Sequence, residues 1–510
     1  MKKVLFLITE LEKPAGGLHR FVKELLPAWR NAAKRGRTEF EPLVVSLHDP
    51  NEPLGDLVPA KEFEEVGQKN GFKVFSAERG GEKCFFIESS LSDGEYYAFH
   101  RELWDKYRIK SEKSSPWPFY RLLCGFWKHA PILAGHLAEK GEKTVLADAQ
   151  DWLAFPAGFL AKEMLGIPLY CRFHSCEYGR SMGSVDHESA PELIEAAALQ
   201  EADMIQGVSV SEAKFVVYHL LSLKKRIREE LEREKGGDWA KDQERKEDRY
   251  EDFLLLETSD LELIGENASG LTNGIILDDW KNVSLAQIQK GREILKKLAD
   301  KKHYILFIGR VDIRKGIDQL LEAMALLERD DTLLVLSSSF TDADYEKYSQ
   351  KIKALGITDK VAINSGWLDE PLKKGLFCAS DVICLPSLYE PFGLVTLEGL
   401  AADLACENNR VTGPAIVVGA TGGMNEIIKN GQNGFKVPMD EDKFDMRSDY
   451  LAKIIEMVLR NDNLRRRLSR GGAERVQSPY FDWNFIVLRM HESYHQAVEN
   501  YKHSFHAGKG

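Results

Sequence analysis

Residues 382–398 read VICLPSLYEPFGLVTLE, and this stretch is the most informative part of the sequence about the fold. Four apolar residues typical of a buried strand lead into a turn rich in proline and glycine, and a helix is expected after the turn. Open α/β sheets are built from this strand, turn and helix unit, and ligands bind at the carboxyl ends of such strands. Glu390 and Glu398 lie on either side of Gly393, so the stretch predicts a ligand site that contains two carboxylates.

Strand-then-helix patterns recur along the chain in two series. The strand candidates are residues 4–8, 145–147, 168–171 and 203–208 in the first series, and 304–308, 333–336, 361–363, 382–385 and 415–418 in the second. Alternation of this kind predicts parallel sheets with crossover helices. Two separate series predict an α/β protein with two doubly wound domains.

The domain boundaries follow from the two series. We expect a first domain at 1–282, a second at 283–485 and a C-terminal helix at 486–510. Residues 221–262 are densely charged and predict a solvated helical insertion into the first domain. Residues 50–125 fit the alternation poorly and are interpreted as an elaborated part of the first domain.

The composition is that of a globular protein and excludes several classes. The chain has 510 residues, 43% of them hydrophobic, and a net charge of −11, which disfavours nucleic acid and anionic membranes as partners. No apolar stretch reaches the about 18 residues of a spanning helix, so no integral membrane association is expected. Seven cysteines without a C-x-x-C pair favour a reducing, cytoplasmic location.

Three glycine-containing turns follow strand candidates. Lys13, Gly16 and Gly17 lie between the first strand and the first helix, where they predict either a phosphate-binding turn or a plain tight turn. A second glycine pair, at 422–423, follows the strand at 415–418. Residues 309–316 present Arg310 and Lys315 beside a helix start, which suits a diphosphate.

A D-x-D sequence at Asp342 and Asp344 raises the question of a divalent metal. It lies in an acidic run that is typical of a helix N-cap with first-turn acids. We therefore expect a cap here and no essential metal.

Together these residues resemble a known family. The motifs that carry the resemblance are Gly309-Arg310…Lys315-Gly316, Glu390…Glu398, Thr421-Gly422-Gly423…Glu426, Asn433-Gly434-Phe435, Lys13…Gly16-Gly17-Leu18, Asp148-Ala149-Gln150-Asp151-Trp152, His174-Ser175-Cys176-Glu177-Tyr178-Gly179 and Asn273-Gly274-Ile275…Trp280. They resemble the retaining GT-B nucleotide-sugar glycosyltransferases, especially the glycogen and starch synthase group. The resemblance extends from residue 4 to about 485 and implies two Rossmann-like domains facing across a cleft, with the last helix returning to the first domain.

The chain departs from the synthase pattern at four places. The first glycine turn has one extra residue after Lys13, and residues 401–413 are longer and more polar than the usual turn. Gln150 replaces a histidine expected to contact the donor sugar. Glu398 stands where bacterial synthases often have tyrosine, as in the broader retaining family that includes sucrose-synthase-type enzymes.

The resemblance also implies roles for individual residues. Arg310 and Lys315 would neutralise the diphosphate, Glu390 would contact the transferred sugar and Glu398 would bind ribose hydroxyls. The implied catalytic residues are Glu390, Arg310, Lys315 and His174. The implied nucleotide-sugar-binding residues are Lys13, Gly16, Gly17, Asp148, Gln150, Gly393, Leu394, Val395 and Glu398.

The implied function is transfer of glucose from ADP- or UDP-glucose to an α-glucan, with no cofactor besides the donor substrate. The alternatives are transfer to a small acceptor (a sugar, sugar phosphate or glycerate), a nucleotide-sugar 2-epimerase and a non-catalytic glucan-binding relative. Retention of the anomeric configuration can arise in two ways. A carboxylate can act as the nucleophile in a double displacement, or the acceptor can attack from the front face while the leaving phosphate acts as the base.

Overall fold

The computed structural model divides the chain into two compact units, which we call unit 1 and unit 2. Unit 1 comprises Met1–Thr272 with Trp483–Gly510, and unit 2 comprises Asn273–Asp482. The described residues are 1–11, 17–52, 54–89, 91–107, 109, 118–184, 189–217, 219, 268–366, 368–440 and 443–507. The first boundary precedes the expected residue 282 because Ile275 already pairs within unit 2, where its N–H donates to Phe481 O at 3.1 Å.

Unit 1 is built around one mixed sheet. Its described strands are β1 (Lys2–Ile8), β2 (Phe40–Leu47), β3 (Val58–Pro59), β4 (Phe72–Arg79), β5 (Glu82–Ser89), β6 (Thr144–Gln150), β7 (Leu169–Phe173), β8 (Met204–Gly207) and β9 (Ala268–Gly270). They lie in the order β3-β4-β5-β2-β1-β6-β7-β8-β9. The pairs β3–β4 and β4–β5 are antiparallel and the remaining neighbours are parallel. The order reverses between β1 and β6, which makes their carboxyl ends a switch point.

Helices cover the sheet of unit 1. They are α1 (Gly17–Lys34), α2 (Glu64–Asn70), α3 (Asp93–Tyr107), α4 (Pro118–Glu139), α5 (Phe155–Leu165), α6 (Glu177–Arg180) and α7 (Ala190–Glu201). The centre of β1, from Val4 to Ile8, is completely buried. A run of apolar residues with no polar alternation is what a parallel strand covered on both faces requires.

Unit 2 contains a second, fully parallel sheet. The described strands of unit 2 are β10 (His303–Ile308), β11 (Thr332–Ser338), β12 (Val361–Ser365), β13 (Val382–Leu385), β14 (Ala415–Gly419), β15 (Phe435–Val437), β16 (Met439–Asp440) and β17 (Asp445–Met446). The sheet order is β12-β11-β10-β13-β14-β15, and β16 pairs with β17 in a small antiparallel ribbon. The order reverses between β10 and β13, so unit 2 has its switch point there.

The helices of unit 2 follow its strands in the expected alternation. They are α8 (Asp278–Lys281), α9 (Leu285–Leu298), α10 (Ile317–Leu326), α11 (Asp342–Ala354), α12 (Glu370–Ala379), α13 (Leu394–Asn408), α14 (Met424–Ile427), α15 (Ser448–Arg460) and α16 (Asp462–Val476). The α/β class predicted from the sequence is confirmed, with one doubly wound sheet in each unit.

The last helix, α17 (Trp483–Ala507), belongs to unit 1. Its buried side chains Trp483, Val487, Met490 and Tyr494 join the same apolar core as β1 and α1. The Trp483 indole also donates a hydrogen bond to Glu24 Oε2 on α1 at 2.7 Å. The sequence-remote helix is therefore an integral part of the core of unit 1.

Strands β2 and β5 were not predicted, although both contain apolar runs, at 43–45 and 84–87. The region at 50–125 fits the alternation poorly because β3, β4 and β5 form an antiparallel extension of the sheet. Predictions for Lys13, Gly16 and the insertion at 221–262 fall outside the described residues. In the part of the chain that is described, no helix is both long and apolar enough to cross a bilayer.

Candidate active site

Three loops meet at the carboxyl ends of β10, β13 and β14 in unit 2. These loops comprise residues 309–316, 386–393 and 420–423. The Leu388 N–H donates to Arg314 O at 2.7 Å, and the Gly423 N–H donates to Pro391 O at 3.0 Å. The central loop, which lies within residues 382–398, is thus hydrogen-bonded to the loop on each side.

Two glycines make this close assembly possible. Gly316 has a φ of +66°, and a β-carbon there would collide with the carbonyl oxygen of Pro386. Gly393, the residue before α13, has a φ of +99° and packs against the side chain of Met424. Other residue types would be strained at both positions, so the loop approach depends on glycine.

Lys315 and Glu390 form an ion pair across the switch point between β10 and β13. Their side chains are 20% and 19% exposed, so a ligand can reach both groups. Arg310 lies exposed at the start of the same loop. The structure therefore brings together three of the four residues that the sequence assigned to catalysis.

Arg314, the other cation of this loop, is engaged by Asp312. Asp312 also accepts a hydrogen bond from the Arg314 N–H at 2.9 Å and thereby caps the short turn before Gly316. Burial alone would raise the pKa of Asp312, but the hydrogen bonds from Arg314 outweigh it and lower the pKa to about 2. The Asp312–Arg314 pair is therefore a structural element that shapes the loop, which leaves Arg310 and Lys315 as its cations for a ligand.

The N-terminus of α13 faces the same loops. Gly393 precedes the helix, and Leu394 and Val395 form its first turn with half-buried positions. N–H groups in the first turn of a helix have no acceptor within the helix, and the helix dipole adds positive potential there. This end of α13 therefore suits an anionic group such as a phosphate.

Glu398 has a different environment from Glu390. Its side chain is 3% exposed, and its carboxylate accepts a hydrogen bond from Lys373 Nζ at 2.6 Å. Lys373 lies on α12 and was not identified from the sequence. Because the pairing depends on how α12 packs beside α13, no local motif around Lys373 could have revealed it.

In unit 1, Asp148, Gln150 and His174 lie together at the carboxyl ends of β6 and β7. Gln150 Nε2 donates to Asp148 Oδ1, and Gln150 Oε1 pairs with His174 Nε2 at 2.9 Å. Asp148 Oδ2 also accepts a hydrogen bond from the Tyr494 hydroxyl on α17 at 2.6 Å. Gly17, the first residue of α1, is exposed.

The ionisation of this group reflects its burial. Burial raises the pKa of Asp148 to about 7, against the opposing effects of Tyr494, Arg172 and Gln150. Burial and the nearby Arg172 guanidinium lower the pKa of His174 well below its usual value, so the ring is neutral at physiological pH. The edge of the His174 ring contacts Phe21, with ring centroids 4.8 Å apart.

Asp151 is a candidate site residue that was named from the sequence only as part of a motif. It has a φ of +64°, and its buried Oδ1 atom has no hydrogen-bond partner among the described residues. Burial raises the pKa of Asp151 to about 6, and the Arg180 guanidinium lies 3.9 Å away. A non-glycine residue held in this backbone region marks strain that is often found at functional sites.

Comparison with known proteins assigns a region of unit 2 to a family. Residues 291–475 match the family described as "Glycosyl transferases group 1". An uncharacterised glycosyltransferase of Methanocaldococcus jannaschii is 32% identical over 201 residues, which are 39% of this chain and 46% of that protein. Residues 291–475 belong to the group 1 glycosyltransferases.

The group 1 glycosyltransferase region also resembles proteins of known activity. Glycogen synthase of Mycobacterium tuberculosis is 30% identical over 194 residues, which are 37% of this chain and 42% of that protein. The chain spans about half the length of the curated relatives it matches. For residues 291–475, these matches confirm the predicted glycosyltransferase family.

A solved structure extends the comparison to nearly the whole chain. The catalytic domain of starch synthase IV from Arabidopsis thaliana, bound to ADP and acarbose, matches with a TM-score of 0.60 at 18% identity. The match covers 98% of this chain and 99% of that chain. At this identity the likeness shows the fold alone, and the predicted GT-B fold is confirmed.

The D-x-D sequence of the glycosyltransferase region is a helix cap, as predicted. Thr341 Oγ1 accepts a hydrogen bond from the Asp344 N–H, and its hydroxyl donates to Asp344 Oδ2 at 2.6 Å. Within the described ranges, no group of three or more His, Cys, Asp and Glu side chains could hold a metal ion. That transfer needs no metal stays a prediction.

Proposed function

We propose that this protein transfers glucose from ADP- or UDP-glucose to the non-reducing end of an α-glucan with retention of the anomeric configuration. The observation that carries the proposal is the Lys315–Glu390 pair at the switch point, beside the N-terminus of α13. The similarity to a glycogen synthase and to a starch synthase bound to ADP and acarbose supports this choice of donor and acceptor.

The donor diphosphate is proposed to bind between Lys315, Arg310 and the first turn of α13. Two cations and the N–H groups of Leu394 and Val395 would compensate its charge without a metal ion. Glu390 is already hydrogen-bonded to Lys315. A diphosphate that takes over the Lys315 ammonium would release the Glu390 carboxylate to accept hydrogen bonds from the sugar hydroxyls.

The proposed reaction breaks the bond between C1 of glucose and the diphosphate oxygen. A hydroxyl oxygen of the acceptor forms the new bond to C1, and its proton passes to the leaving diphosphate. Negative charge grows on the diphosphate as the bond breaks, and Lys315 and Arg310 stabilise it most at that stage. Once the donor is bound, Glu390 is proposed to accept hydrogen bonds from the sugar hydroxyls instead of attacking C1, and this role is consistent with front-face attack rather than double displacement.

Glu398 is proposed to accept hydrogen bonds from the ribose hydroxyls. Its negative charge remains paired with the Lys373 ammonium. In unit 1, His174 is proposed to contact a sugar hydroxyl. Gln150 is hydrogen-bonded to His174 and to Asp148. All seven cysteines are buried, and none of them forms a disulfide bond among the described residues. Buried thiols outside disulfide bonds agree with a reducing compartment, and we propose a cytoplasmic location.

A matrix of donors and acceptors tests the proposed function. Purified protein is incubated with ADP-, UDP- or GDP-glucose carrying labelled glucose, and with glycogen, maltose or small sugar acids, in EDTA throughout. We expect label in glycogen or maltose with ADP- or UDP-glucose. Label only in a small acceptor, or an absolute need for added magnesium, would contradict the proposal.

A matched pair of lysine variants ties the activity to the site. Lys315→Met should lower kcat by about 100-fold because one donor to the leaving diphosphate is lost. Lys443→Met changes a lysine whose side chain is 78% exposed and pairs with Asp440, so its activity should equal that of the wild type. Equal rates for the two variants would exclude Lys315 from the reaction.

A further inference from the structure

A chain of four hydrogen-bonded side chains crosses unit 1 from α17 to the end of β7. The Tyr494 hydroxyl donates to Asp148 Oδ2 at 2.6 Å, and Gln150 Nε2 donates to Asp148 Oδ1. Gln150 Oε1 then pairs with His174 Nε2 at 2.9 Å. The chain begins at a completely buried tyrosine and ends at a half-buried histidine.

The direction of each hydrogen bond follows from the one before it. When Asp148 is ionised, both of its oxygens accept, and the buried Arg172 guanidinium supplies the compensating positive charge nearby. The Gln150 amide must then place its NH₂ group toward Asp148 and its oxygen toward His174. An amide oxygen only accepts, so His174 Nε2 must carry the proton.

A neutral imidazole has one protonated nitrogen, so a proton on Nε2 leaves Nδ1 as an acceptor. Among the described residues, His174 Nδ1 has no hydrogen-bond partner, and the side chain is only half-buried. We infer that Tyr494, Asp148 and Gln150 are positioning residues that fix the tautomer of His174, so that Nδ1 accepts a hydrogen bond from a substrate hydroxyl. The substrate role rests on the proposed function, whereas the tautomer does not.

Through Tyr494, the C-terminal helix α17 contributes to the site of unit 1. Tyr494 is 346 positions away from Asp148 in the sequence. Its ring packs against Trp29 and Tyr170, with centroids 5.9 Å and 5.2 Å apart. These contacts fix the position of the Tyr494 hydroxyl, so the series of hydrogen bonds to His174 begins at a rigid group.

The tautomer can be measured directly by NMR of protein labelled with ¹⁵N-histidine. The His174 signals are assigned by their loss in His174→Asn. In the substrate-free wild-type protein we expect a protonated Nε2 and a bare Nδ1. In Gln150→Leu, which removes the acceptor, we expect a mixture of the two tautomers.

The rate constants supply the second measurement. Tyr494→Phe should lower kcat by about tenfold, since one hydrogen bond of the chain is lost, while KM for the donor stays nearly unchanged. Tyr501→Phe, on the same helix, is the matched control and should behave as the wild type. Thermal unfolding of each variant checks that it remains folded.

A protonated Nδ1 in the wild-type protein, or an unchanged tautomer in Gln150→Leu, would overturn the inference. A changed tautomer with an unchanged rate in Gln150→Leu would support the hydrogen-bond chain and contradict the proposed role of His174 in transfer. Failure of the inference and failure of the proposed function are thus separate results.

Discussion

Glu390 and Glu398 are eight positions apart in one short stretch and have distinct environments. Glu390 is partly exposed and pairs with Lys315 in the loop before α10. Glu398 is buried on α13 and pairs with Lys373. A ligand can displace the first lysine without uncovering a buried charge, whereas the second pair is part of the interior of unit 2.

The Lys373–Glu398 pair predicts a measurable effect on stability. Lys373→Met removes a partner of the buried carboxylate and should lower the free energy of unfolding by about 2 kcal/mol. Urea denaturation checks this value. The double variant Lys373→Met/Glu398→Met should recover much of the loss, because replacing a buried ion pair by apolar groups is often nearly neutral.

The comparison of the single and double variants decides whether the pair is coupled. If the double variant is as unstable as the sum of Lys373→Met and Glu398→Met, the two side chains act independently and the interpretation is wrong. The same variants test the ribose contact, because loss of Glu398 should raise KM for the donor while stability is restored.

Helix α13 contains a buried acid that takes no part in the proposed site. Asp403 is completely buried and lies against Gly413 and Gly472, where no side chain separates it from the backbone. Within the described part of the chain neither oxygen accepts a well-formed hydrogen bond, although the nearby Ser469 hydroxyl favours the ionised form. Burial raises the pKa of Asp403 well above its usual value.

The raised pKa fixes the sign of a pH effect on stability. The folded protein keeps a proton on Asp403 that the unfolded chain releases above a pH of about 4. The free energy of unfolding therefore falls by about 1.4 kcal/mol per pH unit between the unfolded and folded pKa values of this group. Asp403→Asn cannot ionise, so relative to the wild type it should gain stability as pH rises.

Thermal unfolding at pH 5 and pH 8 measures this difference. The melting temperature of Asp403→Asn minus that of the wild type should be more positive at pH 8 than at pH 5. Ser469→Ala serves as a control that removes the nearby hydroxyl but leaves the acid. An equal difference at both pH values would show that Asp403 does not retain its proton in the folded protein.

Strands β10 to β14 of unit 2 were predictable because each is a short apolar run followed by a turn and a helix, whereas the short strands β15, β16 and β17 were not predicted. The loop containing Lys315 and the stretch containing Glu390 could be assigned to one site for the same reason, since the carboxyl ends of parallel strands share one edge. The sequence could not reveal Lys373 or Tyr494. The family resemblance implied that the last helix returns to the first domain, but the partners of these two side chains depend on how the helices pack, which no local pattern encodes.

At the scale of the whole molecule, unit 1 depends on a helix from the opposite end of the chain. Five large side chains of α17 are nearly inaccessible to solvent: Trp483, Ile486, Val487, Met490 and Tyr494. Their burial contributes roughly 8–15 kcal/mol. Because whole domains are stable by only about 5–15 kcal/mol, unit 1 should not fold without this helix.

A truncated protein that ends at Asp482 tests this dependence. Hydrogen exchange should show loss of protection in β1, β6 and β7, while β10 and β13 of unit 2 stay protected. A protein that ends at Ala507 keeps the helix and is the control. Protected β1 and β6 strands in the shorter protein would show that unit 1 folds without α17.

The central claim is that the Lys315–Glu390 site transfers a glucosyl group with retention. Proton NMR of the anomeric region during a reaction with ADP- or UDP-glucose and maltose measures this most directly. We expect a new α-linked anomeric signal that grows with the nucleoside diphosphate and is absent with Glu390→Gln. A β-linked signal, free glucose without transfer, or the same product from Glu390→Gln would contradict the central claim.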